Sequence, residues 1–191
     1  MKKQMMKTSV LAAVLLSMGM GMAHAATGDV LGHSTVVVNG SVGAATCEVK
    51  IDKGPEIKLG SVIASDFKTK DTLIAPQDLK VSLTNCTKIT DSNGKVTSNV
   101  DLQIVGPNTQ DGNKYFGLSS LKVGHVAVGI AEKSSAITLL ENGHKIPFAG
   151  ISDALATKNK EFTVGLVAKD PTTLEAGMDI SAPLTFQLIE R

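Results

Sequence analysis

Short runs with an apolar residue at every second position, broken by turn formers, constrain this chain more than any other feature. Residues 78–83 (DLKVSL) put Leu79, Val81 and Leu83 on one face, and residues 100–105 (VDLQIV) do the same with Val100, Leu102 and Ile104. Residues 125–130 (HVAVGI), 161–168 (EFTVGLVA) and 183–189 (PLTFQLI) repeat the pattern, the last with Leu184, Phe186 and Leu188. Further runs occupy 36–42, 47–51 and 56–62. A period of two is that of a strand with one face in a core. Between the runs, Asn93-Gly94, Asp111-Gly112 and Asn142-Gly143 tolerate positive φ. The six prolines are expected at or outside strand edges, where a missing N–H does least harm. Helical turns fit only at 61–67 and 152–157. The pattern predicts an all-β sandwich of two antiparallel sheets in one domain.

The first 25 residues follow a different rule. Lys2, Lys3 and Lys7 precede an apolar run from Val10 to Met22, and Ala23-His24-Ala25 is a small-x-small cleavage site. That three-part order is a secretory signal peptide. The run is too short to span a bilayer comfortably, which takes about 20 residues. Cleavage removes three of the 19 basic residues and none of the 18 acidic ones. A balance so near neutrality argues against a nucleic-acid partner, which needs a basic footprint.

Export makes a disulfide permissible, and the chain has two cysteines, Cys47 and Cys86. They are too few for a cysteine-rich zinc site and lack Cys-x-x-Cys spacing, so a stabilising bridge is the expectation. Closing a loop of about forty residues is worth about 4 kcal/mol in the chain-entropy model.

Little else points to chemistry. His33, His125 and His144 have no His or Cys at ligand spacing, so no metal site is expected. Gly-x-Ser-x-Gly is absent, and no other signature of catalysis or of a bound cofactor stands in its place. Asp91-Ser92-Asn93-Gly94 resembles part of a calcium loop but lacks the further ligands, and reads as an exposed turn.

Residues 26–35 are Gly-containing and weakly patterned, like a flexible tail. In one parity, however, Val30, Gly32 and Ser34 lead into Val36 and Val38. Small and apolar residues at alternate positions suit a strand lying in a groove, with Gly where backbones approach closely. A one-residue slip would present Leu31 and His33 instead.

Taken in order, these features resemble the pilin subunits of chaperone–usher fimbriae, of the type 1 and P-pilus kind. A signal peptide and short tail precede Val38-Asn39-Gly40-Ser41-Val42 and Cys47, similar to the family's aromatic-x-Gly-x-Val and first Cys. Residues 57–62 (IKLGSV) resemble its apolar-x-Leu-Gly-x-apolar stretch, and 79–86 (LKVSLTNC) its strand ending in the second Cys. Residues 185–188 (TFQL) resemble its alternating C-terminal strand. Two departures stand out: Glu190 occupies the next-to-last place, where the family usually has an aromatic residue, and Val38 replaces another aromatic.

The resemblance implies an incomplete immunoglobulin-like sandwich lacking its final strand, completed by donor-strand complementation. It divides the chain into a signal peptide (1–25), a donor-strand extension (26–35) and a pilin domain (36–191). Val30, Gly32 and Ser34 would enter the groove of the preceding subunit, a form of strand addition. Leu184, Phe186, Leu188 and the carboxylate of Arg191 would pair with a periplasmic chaperone. The implied partners are identical or related pilin subunits, that chaperone and an outer-membrane usher. The implied function is a structural fimbrial subunit contributing to adhesion, exported through the periplasm to the bacterial surface. The alternative is a minor or terminal subunit, or a single-domain adhesin binding a host surface glycan or protein.

Overall fold

Phe162 and Phe186 meet across the core with ring centroids 5.3 Å apart and planes tilted by 55°, and they belong to opposite layers of a sandwich. The structure is a computed structural model, and it describes residues 30–40, 47–109, 112–118, 126–134, 137–174 and 179–191. Within the first strand, side chains are described for residues 36–38 alone. The signal peptide and residues 26–29 of the tail lie outside the described residues.

The strands are β1 (Val30–Gly40), β2 (Glu48–Ile51), β3 (Glu56–Ile63), β4 (Ile74–Thr84), β5 (Val100–Val105), β6 (Val126–Glu132), β7 (Lys145–Ala149), β8 (Asn159–Ala168) and β9 (Ile180–Glu190). One sheet has the order β3-β1-β9-β5-β7 and the other β2-β4-β8-β6. Single 3-10 turns at Ala64–Asp66 and Leu155–Thr157 are the helical elements among the described residues, and both fall inside the two expected windows. Alternation sends Leu79 and Val81 of β4, Phe162 and Val164 of β8, and Leu184 and Phe186 of β9 into the shared core, each almost fully buried. Every ladder is antiparallel except one: β1 and β9 run parallel.

Three prolines depart from the expectation. Pro76 lies inside β4, at an irregularity in its pairing with β8 between Ile74 and Gln77. Pro147 lies inside β7, an edge strand, where one side of the backbone needs no partner. Pro183 lies inside β9 beyond the end of the β5 ladder, whose last pair is Val105 with Thr185. The first strand also starts earlier than the β-branched run implied, at Val30 instead of residue 36.

The outer face of the second sheet carries its own small apolar cluster. Leu73, Tyr115, Ala127, Ala131 and Val167 are buried there, with Leu139 packed on them. Gly129 and Gly165 are cross-strand partners on this face. A Cβ on Gly129 would lie 2.7 Å from Val167 Cγ1 and 2.9 Å from Leu139 Cδ2, so its bareness makes room for the covering leucine. Polar ties fasten the cover: Lys114 Nζ donates to Asp71 Oδ2 at 2.8 Å, and the Tyr115 hydroxyl donates to Asp71 Oδ1. Burial alone would raise the Asp71 pKa. The bonds from Lys114 and Tyr115 outweigh it and hold the carboxyl below its ordinary value.

Candidate functional site

The parallel seam between β1 and β9 is where the chain's first and last strands meet. Seven consecutive pairs run from Ser34 with Ile180 to Gly40 with Phe186, without a break in register. Val36 and Val38 on one side, and Ala182, Leu184 and Phe186 on the other, are buried in the core. The alternate residues Val37, Ser181, Pro183 and Thr185 are half-buried on the opposite face. The seam therefore has an apolar inner side made by every second residue and a main-chain ladder along its length.

Each strand has a second attachment. β1 also pairs antiparallel with β3, from Val30 with Ile63 to Val37 with Glu56, with irregularities between Val30 and His33 and between Ser34 and Thr35. β9 pairs with β5 over Thr185 to Glu190. Its first residues, Ile180 to Leu184, precede that ladder. There, Leu118 N–H donates to Ser181 O at 3.1 Å, and Phe116 bridges on to Val128 of β6.

The end of β9 is pinned by its last residue. Arg191 N–H donates to Asn99 O at 2.8 Å, and Arg191 Nε lies 2.9 Å from Asp101 Oδ2. Asp101 is the one buried charged residue among those described, with 3% of its surface exposed, while the Arg191 side chain stays half exposed. Asp101 Oδ1 has no hydrogen-bond partner among the described residues. Sequence reading missed this acceptor, although an acid within an alternating apolar strand was a signal for it.

The residues singled out in the sequence fall as follows. Cys47 and Cys86 form a disulfide that joins the start of β2 to the end of β4. Val30 pairs with Ile63, Gly32 falls in the irregular stretch that follows, and Ser34 faces Gly60 on β3 and Ile180 on β9, all within this chain's own first sheet. Leu184 and Phe186 lie in the seam opposite Val38 and Gly40, whereas Leu188 lies beyond it, opposite Leu102 of β5. His144 is exposed, next to the Asn142-Gly143 turn. His125 and the side chain of His33 lie outside the described residues. Asp91 spends its carboxylate on its own turn, accepting the N–H groups of Asn93 and Lys95, and the Lys95 N–H is the main reason its pKa is lowered. Among the described residues no group of His, Cys, Asp and Glu could hold a metal, and no helix is long and apolar enough to cross a membrane.

Comparison with known proteins adds three findings. A family model described as fimbrial protein matches residues 35–189. No curated protein sequence matches the chain. The P pilus rod subunit PapA has a similar solved structure, with TM-score 0.53 and 18% identity over 77% of this chain and 92% of that one, which is a likeness of fold alone. Looser likenesses are to a Burkholderia pseudomallei antigen and type I fimbria protein and to the CupB6 tip adhesin from Pseudomonas aeruginosa. The first has TM-score 0.48 and 14% identity over 80% of this chain and 89% of that one. The second has TM-score 0.42 and 9% identity over 82% and 40%. At those scores they add nothing to the first.

Proposed function

The chain belongs to the fimbrial protein family and is a structural subunit of a fimbria, and from that premise we propose that it polymerises by strand donation between subunits. Residues 26–35 are the donated strand, with Val30, Gly32 and Ser34 facing the acceptor. The seam beside β9 is the acceptor, and residues 36–191 are the accepting domain. The observation that carries this reading is the seam itself: seven unbroken main-chain pairs flanked by alternately buried apolar residues, the surface that an added strand can reproduce. The start of the family match at residue 35 supports the division, because residues 26–34 precede it.

On this reading a periplasmic chaperone pairs with Leu184, Phe186, Leu188 and the Arg191 carboxylate before assembly. An outer-membrane usher then exports the chain to the bacterial surface. The subunit is not an enzyme and needs no cofactor. The test compares the full exported chain with one that resumes at Val36, each co-expressed with a matching chaperone, on unheated denaturing gels. Ladders from the full chain and none from the truncation are expected. Equal ladders from both would overturn the role of residues 26–35.

A further inference from the structure

We propose that an open pocket beside the disulfide is a second site of this protein, one that takes the acetamido group of an N-acetylated sugar. The pocket is lined by residues 83–86, Thr90, Gly94 and the 3-10 turn at Leu155 and Ala156. None of them belongs to β1 or β9, so the site is separate from the strand-donation seam.

The pocket has a volume of about 330 Å³. Small-ligand sites span about 300–1,000 Å³, so this one suits a single sugar ring. Its floor is apolar: Leu83 and Leu155 line it and are almost fully buried, and Ala156 and the disulfide-bonded Cys86 add to it. Separate segments are tied together around it before any ligand arrives. The disulfide joins Cys86 to Cys47, the Thr90 hydroxyl donates to Cys86 O, and Leu155 N–H donates to Gly94 O at 3.3 Å. A Cβ on Gly94 would meet nothing within 4 Å, so that wall stands open.

The polar groups of the pocket accept more than they give. The Thr84 hydroxyl and the Asn85 amide each donate to Glu48 Oε2, at 3.4 and 3.1 Å. The Thr90 hydroxyl has spent its hydrogen on Cys86 O. What remains is one amide hydrogen of Asn85 against several acceptors: the hydroxyl lone pairs and Asn85 Oδ1, to which nothing donates among the described residues. Such a rim, beside the Glu48 carboxylate, disfavours anions and calls for a donor. A donor with a methyl group next to it satisfies rim and floor together. The acetamido N–H bonds to Asn85 Oδ1, and the acetyl methyl leaves water for Leu83 and Leu155. A free amine or a plain hexose brings donors but no methyl, and leaves the floor unfilled.

The test is saturation-transfer NMR on the exported chain with three probes: N-acetylglucosamine, glucosamine and glucose. The acetyl methyl of the first should receive strong saturation, and the other two sugars none. Ala156 is an exposed lining residue, so A156F puts a ring in the mouth and should abolish the signal. N85G removes the acceptor, and glycine suits the φ of +57° at that position, so this variant keeps the test open if A156F does not fold. It should weaken binding about two- to tenfold, the worth of one neutral hydrogen bond. Far-UV circular dichroism checks the fold of both. No saturation of N-acetylglucosamine would overturn the site. Equal signal from glucosamine or glucose would overturn the acetamido preference. An undiminished signal in folded A156F and N85G would overturn the proposal too, by placing the sugar elsewhere. Each of these outcomes leaves strand donation as it stands.

Discussion

Replacing Phe186 by Ala tests whether β9 is packed into the core before any strand arrives. The ring is fully buried, stacked at a tilt on Phe162 of the opposite sheet. Removing a buried Phe side chain costs about 3–5 kcal/mol, the upper end applying where the surroundings cannot collapse. Here strands on both sides of β9 hold the backbone in place, which favours the upper end. Part of that cost is the aromatic pair, worth about 0.5–1.5 kcal/mol, and an F162A/F186A double-mutant cycle isolates it. Leu188 on the same strand is only half-buried, so L188A should cost about 1 kcal/mol. Urea unfolding of the oxidised exported chain, followed by far-UV circular dichroism, gives both numbers. A domain of this size has about 5–15 kcal/mol in hand, so F186A should remain folded with a much lower midpoint. If F186A costs no more than L188A, β9 is not seated in the free chain and the packing of Phe186 described above is refuted.

Other consequences are open to the same melts. Converting both cysteines to Ala should lower stability by about 4 kcal/mol, and an unchanged midpoint would mean the bridge constrains nothing. G129V should cost about 1–3 kcal/mol through overpacking against Val167 and Leu139, whereas G94V in the exposed turn would fail for a different reason, its φ of +73°. R191A should cost about 1–3 kcal/mol by leaving the buried Asp101 carboxylate without its cation, and D101N/R191A should recover part of that loss. Asp71 has a lowered pKa in the folded chain, so its contribution is present above the unfolded carboxylate value and is lost as pH falls through the folded one. The stability difference between the native chain and D71N should therefore be full at neutral pH and shrink below about pH 4; a constant difference would refute the pairing.

What could be read from the chain alone follows from how local each feature is. β5 alternates cleanly, and its bounds at Val100–Val105 match the run seen in the sequence. β7 escaped notice because five residues with Pro147 in the middle look like a loop, and only its place at a sheet edge makes the proline harmless. The small cluster on the outer face escaped for a related reason: Gly129 and Gly165 look like interruptions until Leu73 and Leu139 are seen to cover them. The apolar residues of β9 were legible from their period, whereas its parallel neighbour was not. Which strand lies beside which is decided by the whole sandwich, and nothing in the spacing of Val36, Val38, Leu184 and Phe186 states a direction.

Tyr115 has a consequence for how this protein can be watched. The chain has no Trp and this single Tyr, so the near-ultraviolet signal of each subunit comes chiefly from one phenol. That phenol is buried and hydrogen-bonded to Asp71. It is also three residues from Leu118, whose N–H holds Ser181 on the first part of β9. The one strong chromophore in the sequence thus lies three residues from a direct tie to the first part of β9, beside the acceptor seam. Its fluorescence and near-ultraviolet dichroism make an unlabelled optical clock for assembly, with one reading per subunit.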